Sequence, residues 1–78
     1  MDAIEVTAHF DVNGKATPLR FTWKGSTYLI ESIGRRWQAE HILHILVMVP
    51  EGRIFELLFD CTEARWYLGR AETERMVA

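Results

Sequence analysis

Only one cysteine, Cys61, occurs in the chain. One thiol excludes an intrachain disulfide and a thiolate metal cluster within one chain, and it points to a reduced, cytoplasmic compartment. Long apolar runs are missing as well. The longest, Ile45 to Val49, is far too short to cross a bilayer. The opening Met1-Asp2-Ala3-Ile4-Glu5 is acidic and lacks a basic segment followed by an apolar run, so no signal peptide is expected. A large charge of one sign is also absent: the formal net charge is -2, which gives no general attraction to phosphate. There is no glycine-rich phosphate loop, no EF-hand pattern, and no nucleophile elbow around Ser26 or Ser32.

What the chain does hold is apolar and aromatic. Apolar residues make up 49% of its 78 positions, so it is not disordered by composition. One domain of this length buries a small core and needs good packing or a partner. The aromatics bring large areas per residue and favour strands.

Two-residue alternation runs through most of the sequence. Ile4, Val6, Ala8, Phe10 and Val12 share one face of a strand over residues 3–12. Asn13-Gly14 is a strong hairpin signal, since a type I′ turn needs positive φ at both central residues. The return strand, about 17–24, sets Leu19, Phe21 and Trp23 against Arg20, Thr22 and Lys24, with Pro18 suited to a strand start or an edge. A turn at Lys24-Gly25-Ser26 leads to a strand over 27–33, and Gly34-Arg35-Arg36 reads as a break. Residues 37–49, WQAEHILHILVMV, tolerate helix at their start, but the β-branched end and the Pro50-Glu51-Gly52 turn favour one long strand. Further strands are expected over 53–60 and 65–69, joined by a turn at Cys61-Thr62-Glu63-Ala64.

The fold class implied is all-β: a small antiparallel barrel or strongly bent sheet, SH3-like in size, of five to six strands joined by hairpins. Residues 1–70 form a single domain and 71–78 a polar C-terminal tail.

The candidate catalytic residues thin out under this reading. His41 and His44 are three apart, so on a strand they face opposite ways; only a helix would let them share an ion. Cys61 has no local base or cation to form a thiolate. Asp60 and Glu63 flank a turn, where acids serve as turn formers. No enzyme activity, cofactor or metal is expected.

Two features call for binding. Residues 15–36 carry Lys15, Arg20, Lys24, Arg35 and Arg36 against Glu31 alone, a local charge of +4, whereas residues 40–78 carry a local charge of -3. Arg20, Lys24, Arg35 and Arg36 are the candidate basic face for nucleic acid. The large rings Phe21 and Trp23 alternate away from those cations and read as core, although single-strand binders display rings beside a basic groove. The second feature is that residues 42–49 and 54–59 are apolar on both faces, while a lone antiparallel sheet should wet one face. Either barrel closure and bulges reassign these side chains, or another subunit covers them. The row Ile42, His44, Leu46 and Met48, or its alternates on the opposite face, is the candidate apolar interface.

Arg20-Phe21-Thr22-Trp23-Lys24-Gly25, Tyr28, Trp37, Gly52, Ile54-Phe55-Glu56-Leu57, Asp60 and Arg65-Trp66-Tyr67-Leu68 form an ordered series. On it the chain resembles, over about residues 19–68, a family of small, uncharacterised bacterial domains with the pattern F-x-W-[KR]-G-x-x-Y, a mid-chain Trp and a closing W-x-L. Some members of that family are associated with Y-family translesion DNA polymerases or other DNA-repair proteins. The resemblance implies a non-enzymatic role accessory to DNA repair or replication and carries over no catalytic residue. The chain departs from the family at HILHILVMV, where the family has an Arg-rich, Trp/Tyr-rich strand. The expected function is an interaction or adaptor module, working as a homodimer or on a protein partner. The alternative is direct nucleic-acid binding through residues 15–36.

Overall fold

The computed structural model describes residues 2–72 of the chain. Its strands are β1 (Asp2–Phe10), β2 (Ala16–Trp23), β3 (Ser26–Leu29), β4 (Ser32–Ala39), β5 (Ile42–Val49), β6 (Arg53–Asp60) and β7 (Arg65–Glu72), with a short 3-10 turn, Pro50–Gly52, before β6. They form one antiparallel sheet in the order β3-β2-β1-β7-β6-β5-β4.

The sheet has to curl, and the chain itself shows why. β3 and β4 are consecutive in sequence yet occupy opposite edges of the sheet. The amide of Ile30 donates to the Leu19 carbonyl on β2 (3.0 Å), and the next amide, of Glu31, donates to the Met48 carbonyl on β5 (2.8 Å). Three residues reach about 10 Å, whereas the strand spacings across a flat sheet of this width sum to about 29 Å. The edges therefore meet at Ile30-Glu31, and the sheet becomes a half-barrel.

Bulges supply the bend. Thr7 pairs with Arg20 and Ala8 with Pro18, leaving Leu19 as an extra residue. On β4, Ile33 pairs with Val47 and Arg36 with Ile45, so Gly34 and Arg35 together face Leu46. On β7, Arg70 pairs with Glu56 and Leu68 with Leu57, leaving Gly69 extra. Such insertions kink a strand and raise its local twist. The β4 bulge and its arginines also blunt an exposed edge against pairing with another chain.

The concave side holds the core: Ala16, Phe21, Ile45, Val47, Val49, Phe55, Leu57, Trp66 and Leu68 are buried in one cluster. Phe55 sits among rings, with centroids 5.1 Å from Phe21, 5.1 Å from Tyr28 and 5.9 Å from Trp23. Phe59 joins Trp66 (4.8 Å) and Phe10 (5.7 Å) in a second aromatic group. Phe21 and half-buried Trp23 are thus packing residues, as alternation suggests. Leu19 is not: the bulge turns it out and it is 48% exposed, while Ala16 and Pro18 are buried beside it. Val12 is exposed in the loop after β1.

Two of the turns follow from local chemistry. Lys24 (φ 52°) and Gly25 (φ 78°) form the left-handed pair that a two-residue hairpin requires. The β1–β2 hairpin is built differently from the type I′ turn expected at Asn13-Gly14. Gly14 alone there has positive φ, its amide donates to the Asp11 carbonyl (2.9 Å), and the Asp11 carboxylate accepts the amides of Asn13 and Lys15. The Lys15 amide, foremost, holds the Asp11 carboxyl below its ordinary value.

Two sequence expectations change. Residues 37–49 are not one strand but the ends of β4 and β5, folded at Glu40-His41, where Glu40 takes φ 58°. Gly34-Arg35-Arg36 lies inside β4 instead of breaking the chain, so the strand over 27–33 divides between two sheet edges. The strands number seven for these reasons. Ala71 and Glu72 belong to β7, and the rest of the expected tail, 73–78, lies outside the described residues.

Candidate interaction face

Opposite the core, the outer face of β4–β7 carries the residues that neither the fold nor the barrel interior uses. Ile42, His44, Leu46 and Met48 all point there, alternating with buried Ile45, Val47 and Val49. Register sets Ile42 beside Asp60, His44 beside Leu58, Leu46 beside Glu56 and Met48 beside Ile54. Met48 is 38% exposed, while Ile42, Leu46 and Ile54 are half-buried. No helix or further sheet layer covers them among the described residues.

A polar and aromatic row crosses this surface. The His44 ring stacks on Trp37, with centroids 4.9 Å apart and planes 9° from parallel. The His44 Nδ1 donates to Glu56 Oε2 at 2.8 Å. Glu56 Oε1 faces Arg70 Nε at 3.8 Å. The Arg35 guanidinium lies over Trp37, 5.0 Å from the ring centroid, in the arrangement that attracts a cation to an aromatic face. Hydrogen bonding on one nitrogen fixes the His44 ring and leaves Nε2 as its other polar atom. Leu58, on this same face, is buried beneath the row. Gly69 permits that burial: a Cβ there would stand 3.1 Å from Leu58 Cγ and 3.0 Å from Glu56 Oε1.

Three open grooves flank the row. One of about 340 Å³ runs along Trp37, Leu46, Ile54 and Arg70, and a smaller one passes beside Arg35, Met48 and Ile54. The third lies toward the β6–β7 turn, with Asp60, Glu63 and Tyr67 in its wall.

The four basic-face candidates do not come together in this way. Arg20 is exposed on β2 opposite Thr7 and Leu29. Lys24 occupies the β2–β3 turn with its ammonium 4.8 Å from the Trp23 centroid. Arg35 covers Trp37 on β4, at the opposite edge of the sheet from β3. Arg36 is half-buried, and its Nη1 donates to the Ala16 carbonyl (2.9 Å), tying β4 to β2 across the open side of the half-barrel. His41 lies in the β4–β5 turn with Nε2 3.7 Å from Asp60 Oδ2, and His44 is engaged by Glu56. Among the described residues no three His, Cys, Asp or Glu side chains assemble as a metal ion would need.

Sequence reasoning found the apolar row but missed Trp37, Glu56 and Arg70 as its neighbours. Pairing across a two-residue hairpin at Glu40-His41 puts Trp37 beside His44 at once. That hairpin carries no glycine or asparagine to announce it.

No protein-family model, curated protein or solved structure matches the chain, so the chemistry of this face rests on its own residues.

Proposed function

We propose that this chain is a non-enzymatic interaction module that docks a protein partner, or a second copy of itself, on the outer face of β4–β7. The observation that carries the reading is an apolar patch of Ile42, Leu46, Met48 and Ile54 left open beside a fixed Trp37-His44-Glu56 row. Open apolar surface with polar neighbours is the usual makeup of a binding face. Stacked aromatics and arginine, here Trp37, Arg35 and Arg70, are the residue types that anchor such contacts. A role accessory to DNA repair or replication is the setting to which the family resemblance points.

Direct nucleic-acid binding has less support. Arg36 is committed to the Ala16 carbonyl, and Arg20, Lys24 and Arg35 lie in separate surroundings.

The test is affinity capture by immobilised protein in three forms: unmodified, Leu46→Glu, and Thr7→Glu as an exposed control on β1. The expected result is a bound set that survives high salt, is kept by Thr7→Glu and is lost by Leu46→Glu. Apolar docking tolerates salt, whereas phosphate binding falls steeply with it. If the partner is a second copy, sedimentation gives a mass above the monomer that Leu46→Glu returns to monomer. A bound set indifferent to Leu46→Glu, or one released by salt, contradicts the proposal.

A further inference from the structure

The third groove on the outer face has an anionic end with no lysine or arginine of its own among the described residues. Asp60, the last residue of β6, is only 9% exposed. Its Oδ1 accepts the backbone amides of Thr62 (2.9 Å) and Glu63 (3.0 Å), which locks the carboxylate at the turn. Its Oδ2 has only the His41 imidazole nearby, at 3.7 Å, beyond hydrogen-bond reach. Glu63 Oε1 accepts the Tyr67 hydroxyl at 3.1 Å. These groups, with Ile42, His44 and Leu58, line about 380 Å³ of open groove. Among the described residues no lysine or arginine lies within ion-pair distance of Asp60 or Glu63. Arg65 is paired with Asp60 in register yet forms no ion pair with it. By contrast Glu56, on the same face, has both His44 and Arg70.

We propose that this groove receives a lysine or arginine side chain of the docked partner. The inference rests on the reading of this face as a docking surface and adds the chemistry of one anchor. Long basic side chains lay an apolar stem along apolar surface and keep the charge at its end. Ile42, Leu58 and the Tyr67 ring provide the apolar track, and Asp60 Oδ2 with Glu63 provides the terminus. A nearly buried carboxylate that, among the described residues, has only the exposed His41 imidazole at ion-pair distance gains from a permanent cation arriving, because the surroundings screen the attraction poorly. A neutral occupant would leave Oδ2 shut away from water without a donor, at a net cost.

The experiment follows backbone amide shifts of isotope-labelled protein titrated with capped Gly-Arg-Gly and Gly-Lys-Gly peptides. Gly-citrulline-Gly, equal in shape to the arginine peptide and uncharged, is the control. Saturable shifts are expected at Thr62, Glu63 and Tyr67 with the basic peptides and not with citrulline. Glu63→Gln keeps an acceptor for the Tyr67 hydroxyl and should weaken the basic peptides about tenfold, the scale of one charge-assisted hydrogen bond. Asp60→Asn, which keeps the turn acceptor, should weaken them at least as much. No saturable shift, equal shifts with citrulline, or unchanged affinity in Glu63→Gln overturns the proposal. Leu46→Glu separates it from the docking reading. If capture is lost in Leu46→Glu while the peptides fail, docking stands and the basic anchor falls. If capture ignores Leu46→Glu, docking falls and the titration decides the groove alone.

Discussion

Ile45→Glu is expected to abolish folding, whereas Leu46→Glu, one position along the same strand, leaves the protein folded. Ile45 is 0% exposed in the middle of the core cluster, and Leu46 faces outward beside Glu56. A carboxylate at position 45 would lie among Val47, Phe55 and Leu57, and the one cation opposite it on β4, Arg36, is already engaged by the Ala16 carbonyl. Stranding a charge in such a place costs several kcal/mol even after relaxation. A domain of this length has about 4–12 kcal/mol in total. At position 46 the new carboxylate reaches water and lies on the face that carries Arg35 and Arg70. Amide dispersion in a two-dimensional NMR spectrum and a thermal melt check both variants. Equal loss of structure in the two would mean that the faces of β5 are not divided as described. A folded Ile45→Glu protein would mean the same.

Phe55→Ala should remove about 3–5 kcal/mol, the usual range for truncating a buried phenylalanine. Phe55 is 0% exposed and touches rings from β2 and β3, which lie three and four strands away from β6 in the sheet order. The ladder of β3 runs to β2 only, so its attachment to β4–β6 passes largely through this aromatic group and the Ile30-Glu31 crossing. The Arg53 guanidinium closes the end of the group, 5.1 Å from the Phe55 centroid and 5.5 Å from that of Tyr28. An alanine would leave a cavity that the curled sheet cannot collapse without moving β3. The urea midpoint should fall by about 2 M or more, given the shallow denaturant slope of a chain this small. A fall below about 1 M would show that these rings do not hold the two edges of the half-barrel together.

Much of the architecture was legible because alternation is a direct record of which side of a strand is buried. Phe21, Ile45, Val47, Phe55 and Leu57 all obey it. The failures have specific causes. Leu19 broke the pattern because one extra residue in a strand flips everything before it. The β4–β5 hairpin was invisible because Glu40 adopts a left-handed conformation that glycine or asparagine usually signals. With that turn unseen, residues 37–49 read as one strand, and Trp37 could not be set beside His44. The Gly34-Arg35-Arg36 stretch resembled a break for the same reason that it works as a bulge: glycine and two charged residues suit an irregular edge. On the outer face, the row Ile42, His44, Leu46 and Met48 came from alternation alone, but its partners Glu56 and Arg70 required the pairing of β5, β6 and β7. The basic candidates were legible as a charge run and not as a surface. Charge per segment says nothing of where a side chain reaches, and Arg36 reaches a backbone carbonyl.

The account depends on an apolar outer face that stands open in the isolated chain. Methyl relaxation enhancement by a soluble gadolinium chelate, measured at dilutions where the protein is monomeric, tests it most directly. The methyls of Leu46, Met48 and Ile54 should relax strongly while those of Ile45, Val47 and Leu57 stay protected. Equal protection of the two sets would contradict the account, because it would mean that the face offered for docking is already covered by the chain itself.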